Sequence, residues 1–325
     1  MCVFCEQFYT FYPTVDIITK KKYDVYYAVD VSAANTVSLL GKKARQRLFL
    51  RVGASLTLDL ISQNKIVEGS LYQKFFLYQE QHAYRKAAKI IPNGYWSYNY
   101  MKTFVSEEKI SELIYSPVNV QCFNRNVLLR EKTRNFLGFN DDNFIILFPG
   151  RLDYRKGGHI FIEILEKLAL RNINFKALII GTGVEKSRIE QLIKKKVLGT
   201  RIYMLGIIPH KEMPRFYSAA DCFVLPALPA GQAEDAMPNS VLEAMAYRLP
   251  IIVSSLGGLP HFIDHGRDGY LIPPGDVTGF SNQIEELAHG REKCLKIGEE
   301  ARSKIIKYCS PEIVTEKLIR TFEEN

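Results

Sequence analysis

Residues 144–272 alternate short apolar runs with amphipathic segments, and this alternation constrains the fold more than any other feature of the chain. The apolar runs lie at 144–148, 175–180, 202–205, 222–225, 251–254 and 270–272. The amphipathic segments lie at 158–170, 184–197, 211–219, 239–248 and 259–263. Nearly continuous apolar strands that alternate with helices are typical of a parallel sheet covered by helices on both faces. The second half is therefore predicted to be an α/β domain.

The first half shows a weaker form of the same alternation. Strands are predicted at 23–29, 47–52, 87–91 and 112–115. Helices are predicted at 1–22, 32–40, 68–86, 95–110 and 127–136. A polar, Pro- and Asn-containing stretch follows the last of these strands, which places a domain boundary near 122–125. We expect an N-terminal domain over 1–122, a C-terminal domain over 123–308, and a helical segment over 309–325 that packs back on the N-terminal domain.

Length and composition narrow the class of protein. A chain of 325 residues that is 47% hydrophobic and 24% charged has room for two ordinary globular domains. No apolar run reaches the 18 or so residues that a membrane span needs. The N-terminal residues lack the charge order of a secretory signal, so a cytoplasmic location is expected. Cys2 and Cys5 form the one C-x-x-C pair, and without a second pair no metal site is predicted.

The net charge of +8 is concentrated in basic clusters at 20–22, 42–47 and 194–196. Such clusters bind nucleic acid, contact anionic lipid or form a solvated surface. No aromatic–basic motif of an RNA-binding module is present, so nucleic acid is not an expected partner. Two interpretations of the basic clusters therefore stay open: they form a solvated surface, or they make peripheral contact with an anionic membrane.

The stretch 231–249, GQAEDAMPNSVLEAMAYRL, connects a predicted strand to a predicted helix. Asn239 and Ser240 after Pro238 predict a helix start at which side chains cap free N–H groups. A helix N-terminus favours an anion such as phosphate. Asp235 and Glu243, separated by seven residues, would flank that anion site. A nucleotide-sugar, with phosphates between two hydroxyl-rich groups, fits this arrangement.

Three other loops follow predicted strands and so reach the same edge of the sheet. Arg151 and Lys156 follow the first strand and together can neutralise a diphosphate. Gly181 follows the second strand and permits close approach of backbone. The run from Gly206 to His210 follows the third strand and offers an apolar rim for a nucleobase.

Five motifs in this order carry a resemblance to a known family. The segments GRLDYRKG, IIGTG, LGIIPHKEMPRFYSAAD, DAMPNSVLEAMA and SSLGGLP resemble the C-terminal half of the glycosyl transferases group 1, retaining enzymes of the GT-B fold. The resemblance covers residues 112–308 strongly and 23–111 loosely. It implies an α/β protein with two Rossmann-like domains facing a cleft, of which the N-terminal domain is shortened.

The resemblance also implies roles for residues. Arg151 and Lys156 would bind the donor diphosphate and stabilise its charge as it leaves, Asp235 would contact the donor sugar, and Glu243 would bind the ribose hydroxyls. The other donor-binding residues that it implies are Gly150, Gly181, Gly206, Ile208, Ser240 and Val241. Neither a metal nor a cofactor is expected, because the cations and the helix dipole would balance the phosphate charge.

The chain departs from the family pattern at three places. Asp235 stands where the family usually has Glu, so Glu234 is an alternative first acid. The loop after 47–52 lacks the family's histidine, and the glycine-rich first loop of the N-terminal domain is missing. These departures leave open a catalytically weak relative, or one that needs a partner chain to complete the N-terminal domain.

The leading prediction is a retaining hexosyltransferase of polysaccharide or related biosynthesis. Its donor would be a nucleoside-diphosphate sugar and its acceptor a glycan, a lipid-linked glycan or another glycoconjugate. Alternatives are a nucleotide-binding relative with weak catalysis, a nucleic-acid-binding protein, and a sugar phosphorylase or epimerase of the same fold. His210, Tyr217 and Asp221 are interpreted as packing, turn or surface residues.

Overall fold

The computed structural model describes residues 23–63, 65–196, 198–229 and 237–324. The chain divides into two compact units, whose described parts include 23–116 with 312–324, and 117–229 with 238–311. The predicted division after residue 122 lies six residues beyond the observed one, which follows Ser116. The helix predicted over 1–22 falls outside the described residues.

The first unit contains a parallel sheet in the order β1 (Tyr26–Ala28), β2 (Leu48–Val52) and β3 (Lys89–Pro92). A fourth strand at 112–115 was predicted, and this prediction is wrong. The segment bonds to β3 only through isolated contacts, such as the N–H of Ile114 with the carbonyl of Pro92. Within its described part, this unit therefore has a three-stranded sheet, as expected of a shortened N-terminal domain.

Helices of the first unit connect these strands, and hydroxyl or carboxylate side chains cap several of them. They are α1 (Val31–Ser38), α2 (Lys42–Arg45), α3 (Leu56–Ser62), α4 (Leu71–Lys86) and α5 (Tyr95–Lys102). Ser55 and Ser70 accept from N–H groups in the first turns of α3 and α4, as N-cap residues do. The helix predicted over 95–110 is too long, because β-branched Thr103 and Val105 disfavour its continuation.

The second unit is built on a six-stranded parallel sheet, which confirms the strands predicted from the apolar runs. Its strands are β4 (Phe144–Pro149), β5 (Phe175–Ile180), β6 (Ile202–Gly206), β7 (Cys222–Leu225), β8 (Ile251–Ser254) and β9 (Tyr270–Ile272). Their order is β6-β5-β4-β7-β8-β9. The direction of winding reverses between β4 and β7, so the loops after these two strands border the crevice where such sheets bind ligands.

Helices cover both faces of this sheet, and its central strands are almost wholly buried. The helices of the second unit are α6 (Val127–Phe136), α7 (Gly158–Leu170), α8 (Lys186–Lys195), α9 (Met213–Ala219), α10 (Asn239–Ala246), α11 (Leu259–Phe262), α12 (Val277–His289) and α13 (Arg291–Cys309). The apolar periodicity predicted the first six of them. Within the described residues, no helix has the length and apolar content needed to cross a bilayer.

The C-terminal helix α14 (Pro311–Glu323) belongs to the first unit. Its Val314 is buried in one cluster with Phe49, Ile91 and Ile114. Phe322 adds an edge contact to the Phe49 ring, with the ring centroids 4.7 Å apart. Leu48 and Leu50 belong instead to the cluster beneath α1 and α4. Because successive side chains of β2 point to opposite faces, α14 covers the face of the sheet that α1 and α4 leave open.

Candidate active site

Loops after β4 and β7 lie in direct backbone contact at the reversal of strand order. Gly157, at the end of the β4 loop, has a φ of 69°. A Cβ atom at this position would lie 1.8 Å from the carbonyl oxygen of Pro226, in the loop after β7. Only glycine therefore fits at this position, because its φ is positive and because a Cβ atom would clash with the Pro226 carbonyl. The glycine lets the cationic β4 loop pack against the loop that leads to α10.

Asp153 organises the β4 loop that carries the two predicted diphosphate-binding cations. Its Oδ1 accepts the N–H of Lys156 at 3.1 Å and so caps the short 3-10 turn Tyr154–Lys156. Its Oδ2 lies 3.3 Å from the guanidinium of Arg151, whose side chain remains 58% exposed. Asp153 thus shares one loop with Arg151, Lys156 and a further cation, Arg155. The sequence interpretation left Asp153 without a role, although an Asp directly before a helical turn is a capping signal.

Gly150 and Gly181 extend backbone pairing past the ends of β4 and β5, and Gly206 ends β6. The N–H of Gly150 donates to the carbonyl of Ile180, and the N–H of Gly181 donates to the carbonyl of Gly206 at 2.8 Å. A Cβ on Gly181, whose φ is 133°, would lie 1.9 Å from the Gly150 carbonyl oxygen. Packing between loops thus requires glycine at 181, independently of any ligand. Half-buried Ile208 follows Gly206 in the same loop.

The start of α10 differs in detail from the sequence prediction. Pro238 occupies the N-cap position, so the helix begins at Asn239 without the side-chain cap predicted from Asn239 and Ser240. The N–H of Val241 donates to the carbonyl of Pro238 at 3.1 Å. The N–H groups of Asn239 and Ser240 have no carbonyl acceptor within the helix, because the first turn of any helix lacks such acceptors. These first-turn amides are the donors that α10 can offer to an anion.

Glu243 lies on α10 with both carboxylate oxygens held by side chains from the β6–α9 segment. The hydroxyl of Tyr217 donates to Oε2 at 2.8 Å, and Nε2 of His210 lies 3.1 Å from Oε1. The Glu243 side chain is 17% exposed, so the carboxylate sits at the edge of the protein interior. Burial, and then the charge of Glu243, raises the pKa of Tyr217 well above its usual value. The phenol therefore stays protonated and remains a hydrogen-bond donor.

The sequence interpretation did not anticipate that Tyr217 and His210 contact Glu243. It assigned both residues to packing or to the surface, because neither is near Glu243 along the chain. Both residues lie inside the motif LGIIPHKEMPRFYSAAD, and their place in this motif was the sequence signal that could have indicated them. Asp235 and its alternative Glu234 fall outside the described residues, so the first acid of the predicted pair stays a prediction.

Sequence comparison places the second unit in a known family. The family model described as Glycosyl transferases group 1 matches residues 130–304. An uncharacterized glycosyltransferase of Methanocaldococcus jannaschii is 33% identical over 185 residues, which cover 56% of this chain and 45% of that protein. The amylovoran biosynthesis glycosyltransferase AmsK of Erwinia amylovora is 30% identical over 161 residues, or 49% of this chain and 40% of AmsK. This chain thus spans less than half the length of these two relatives.

Solved structures resemble the chain over nearly its whole length. HepE of Anabaena, crystallised in complex with UDP, superposes with a TM-score of 0.82 at 20% identity, covering 96% of this chain and 81% of HepE. Sucrose-phosphate synthase of Thermosynechococcus elongatus superposes with a TM-score of 0.74 at 22% identity, covering 93% of this chain and 73% of the synthase. At these identities the likeness establishes the fold. The chain belongs to the glycosyl transferases group 1 family and has the GT-B fold.

Proposed function

We propose that the protein transfers a hexosyl group from a nucleoside-diphosphate sugar to a glycan, lipid-linked or other glycoconjugate acceptor, with retention of anomeric configuration. One observation carries the proposal. The β4 loop with exposed Arg151 and half-buried Lys156, and the helix start of α10, both follow strands at the reversal of the sheet, where α/β sheets bind nucleotides. Complexes of HepE with UDP and with UDP-glucose support the choice of ligand class.

Each predicted site residue has a chemical task in this proposal, including Asp235, which lies outside the described residues. Arg151 and Lys156 bind the diphosphate and stabilise the negative charge that grows on it as the sugar leaves. The first-turn amides near Ser240 add donors to the same phosphates. Glu243 accepts hydrogen bonds from the ribose hydroxyls. Asp235 contacts the donor sugar and shares the charge of an oxocarbenium-like transition state, and the leaving phosphate assists deprotonation of the acceptor on the same face.

Metal independence is part of the proposal. Two cations and a helix N-terminus can balance the diphosphate charge without a divalent ion. We therefore expect turnover of the donor to continue in excess EDTA at the rate seen with added Mg²⁺. A loss of activity in EDTA that Mg²⁺ or Mn²⁺ restores would contradict this part.

A catalytically weak or partner-dependent nucleotide-binding relative is the second candidate function. The observation that favours it is that the described part of the first unit forms a sheet of three strands, against six in the described part of the second. In this case a partner chain completes the acceptor side, and the isolated chain binds nucleotide without turning over the sugar. Cytoplasmic location and peripheral contact with an anionic membrane remain predictions from the sequence under either candidate.

A ligand screen followed by product analysis tests the proposal. Thermal shift and calorimetry are measured with UDP, GDP, ADP and the corresponding glucose conjugates, and hydrolysis of each bound donor is then followed. NMR of the released or transferred sugar reports its anomeric configuration. Binding with turnover and retention supports the transferase, and binding without turnover supports the second candidate. An absence of binding to all of these ligands would contradict both.

A further inference from the structure

The two oxygens of the Glu243 carboxylate have unlike partners. Tyr217, which holds Oε2 at 2.8 Å, is 1% exposed. His210, which lies 3.1 Å from Oε1, has a side chain that is 69% exposed. The inner oxygen is therefore fixed by a phenol that cannot leave without unpacking the core. The outer oxygen is covered by an imidazole that can swing into solvent at little cost.

Stacked rings hold the inner phenol in place. The rings of Tyr217 and Tyr247 stack with centroids 5.1 Å apart and planes 10° from parallel. Phe123 meets Tyr247 edge-on at 5.7 Å and lies 5.8 Å from the ring of His210. The backbone carbonyl of Phe123 accepts a 2.6 Å hydrogen bond from the Arg302 guanidinium. The four rings thus form one connected cluster, of which Tyr217 and His210 hydrogen-bond to Glu243.

The protonation of the two tyrosines suits this arrangement. Burial, followed by the charge of Glu243, raises the pKa of Tyr217 well above 10 and that of Tyr247 to about 12. Neither ring can therefore become a phenolate beside the carboxylate near neutral pH. Only Tyr217 uses its hydroxyl on Glu243, because the buried Tyr247 hydroxyl has no hydrogen-bond partner in the described part of the chain.

We propose that Tyr217 is a positioning residue that aims the Glu243 carboxylate at the ribose of a bound nucleotide, and that His210 is a cap which the ribose displaces from Oε1. The inference rests on the proposed function, in which Glu243 accepts the ribose hydroxyls. Tyr217 fixes the rotamer through Oε2 and leaves Oε1 for the ligand. His210 satisfies Oε1 in the empty site and competes with the ribose for it.

Matched hydroxyl deletions test the role of Tyr217. Tyr217→Phe keeps the ring stack and removes the hydrogen bond to Glu243, whereas Tyr247→Phe removes a hydroxyl that bonds to nothing in the described residues. Calorimetry compares UDP with 2′,3′-dideoxy-UDP, which lacks the ribose hydroxyls. We expect Tyr217→Phe to weaken UDP about tenfold, as for a hydrogen bond to a charged group, and to leave the dideoxy compound unchanged. Tyr247→Phe should change neither affinity.

The ligand pair separates positioning from general support of the fold. An equal loss of both ligands in Tyr217→Phe, or no loss of UDP, would overturn the role of Tyr217. Thermal unfolding of the unliganded variants shows whether the fold is retained. Failure of the wild-type protein to bind any nucleoside diphosphate would remove the proposed function itself, and this inference with it.

His210→Ala tests the displaceable cap. Removing the competitor for Oε1 should strengthen UDP binding about threefold and leave dideoxy-UDP unchanged, because that compound does not need Oε1. His210→Gln, whose amide can still donate to the carboxylate, should bind UDP like the wild type. Weaker UDP binding in His210→Ala would show that His210 contacts the ligand, and would overturn the cap.

Discussion

The backbone N–H of Leu228 donates a 2.7 Å hydrogen bond to the carbonyl oxygen of Arg155. Arg155 belongs to the cationic loop after β4, and Leu228 to the loop after β7 that leads to α10. The bond therefore joins the two loops on which the proposed diphosphate site is built. Predictions about the site depend on this junction staying intact.

Gly157→Ala should disrupt that junction. The new methyl would meet the Pro226 carbonyl oxygen, so one of the two loops must move. We expect about 3 kcal/mol of lost unfolding free energy, from the positive φ together with overpacking. UDP affinity should fall at least tenfold. Denaturant unfolding and calorimetry measure the two effects.

Gly138→Ala is the matched control for Gly157→Ala. Gly138 has a φ of 70°, nearly equal to that of Gly157, but its Cβ would meet nothing within 4 Å. The cost should be about 1 kcal/mol, from backbone conformation alone, with UDP affinity unchanged. Equal losses in the two variants would show that contact with Pro226 does not matter.

Asp221→Asn should destabilise the second unit. Asp221 accepts from Arg130 at 2.6 Å and from Arg134 at 2.5 Å, and it also accepts the N–H of Ile145 at the start of β4. Removing its charge leaves three buried or partly buried guanidinium groups without their counter-ion, because Arg125 also lies 3.8 Å from Asp221. We expect a loss of about 3 kcal/mol in unfolding free energy, measured by urea denaturation. Asp142→Asn, at an exposed position, is the control and should cost less than about 0.5 kcal/mol. A similar small cost at Asp221 would contradict the prediction.

Glu80 predicts a pH dependence of stability in the first unit. Burial raises the pKa of this fully buried carboxyl, although the hydroxyl of Ser55 and the N–H of Leu56 donate to it. Below the unfolded value of 4.5 the carboxyl is protonated in both states. Above it the unfolded chain ionises first, so the folded state binds more protons and stability falls as pH rises through the raised pKa.

Glu80→Gln should remove this pH dependence. The amide has nearly the same shape but cannot ionise. As pH rises from 4.5 to 7, the unfolding free energy of the wild type should therefore fall relative to that of the variant. Urea denaturation at several pH values measures the difference. Glu108→Gln, at an exposed position, supplies the control and should show no such trend. A trend of opposite sign would mean that Glu80 ionises more readily in the folded protein.

The second unit was predictable because its strands are apolar on both faces, as in the run from Phe144 to Phe148. The first unit was less predictable, because strand formation there depends on hydrogen bonding with a neighbouring strand. The segment at 112–115 has strand-like composition, yet only isolated bonds connect it to β3. Local composition cannot show whether a neighbouring strand continues far enough to form a ladder.

The position of Arg151 and Lys156 on one loop after β4 was predictable, because a single loop carries its own sequence signal. Contacts between residues that are far apart along the chain were not predictable. Tyr217 and His210 contact Glu243 only because α9 and the β6 loop approach α10 in the fold. The capping expected from Asn239 and Ser240 was wrong because the proline before them occupies the N-cap.

Isothermal titration calorimetry with UDP-glucose tests the central claim, that the second unit binds the diphosphate and ribose of a nucleotide-sugar, most directly. The wild type should bind, and Arg151→Ala and Glu243→Gln should each weaken binding about tenfold or more, as expected for lost charge-assisted contacts. Arg188→Ala removes an exposed cation of α8, paired with Glu185, and should leave the affinity unchanged. Binding that is equal in all four proteins, or absent from the wild type for every nucleoside-diphosphate sugar tried, would contradict the claim.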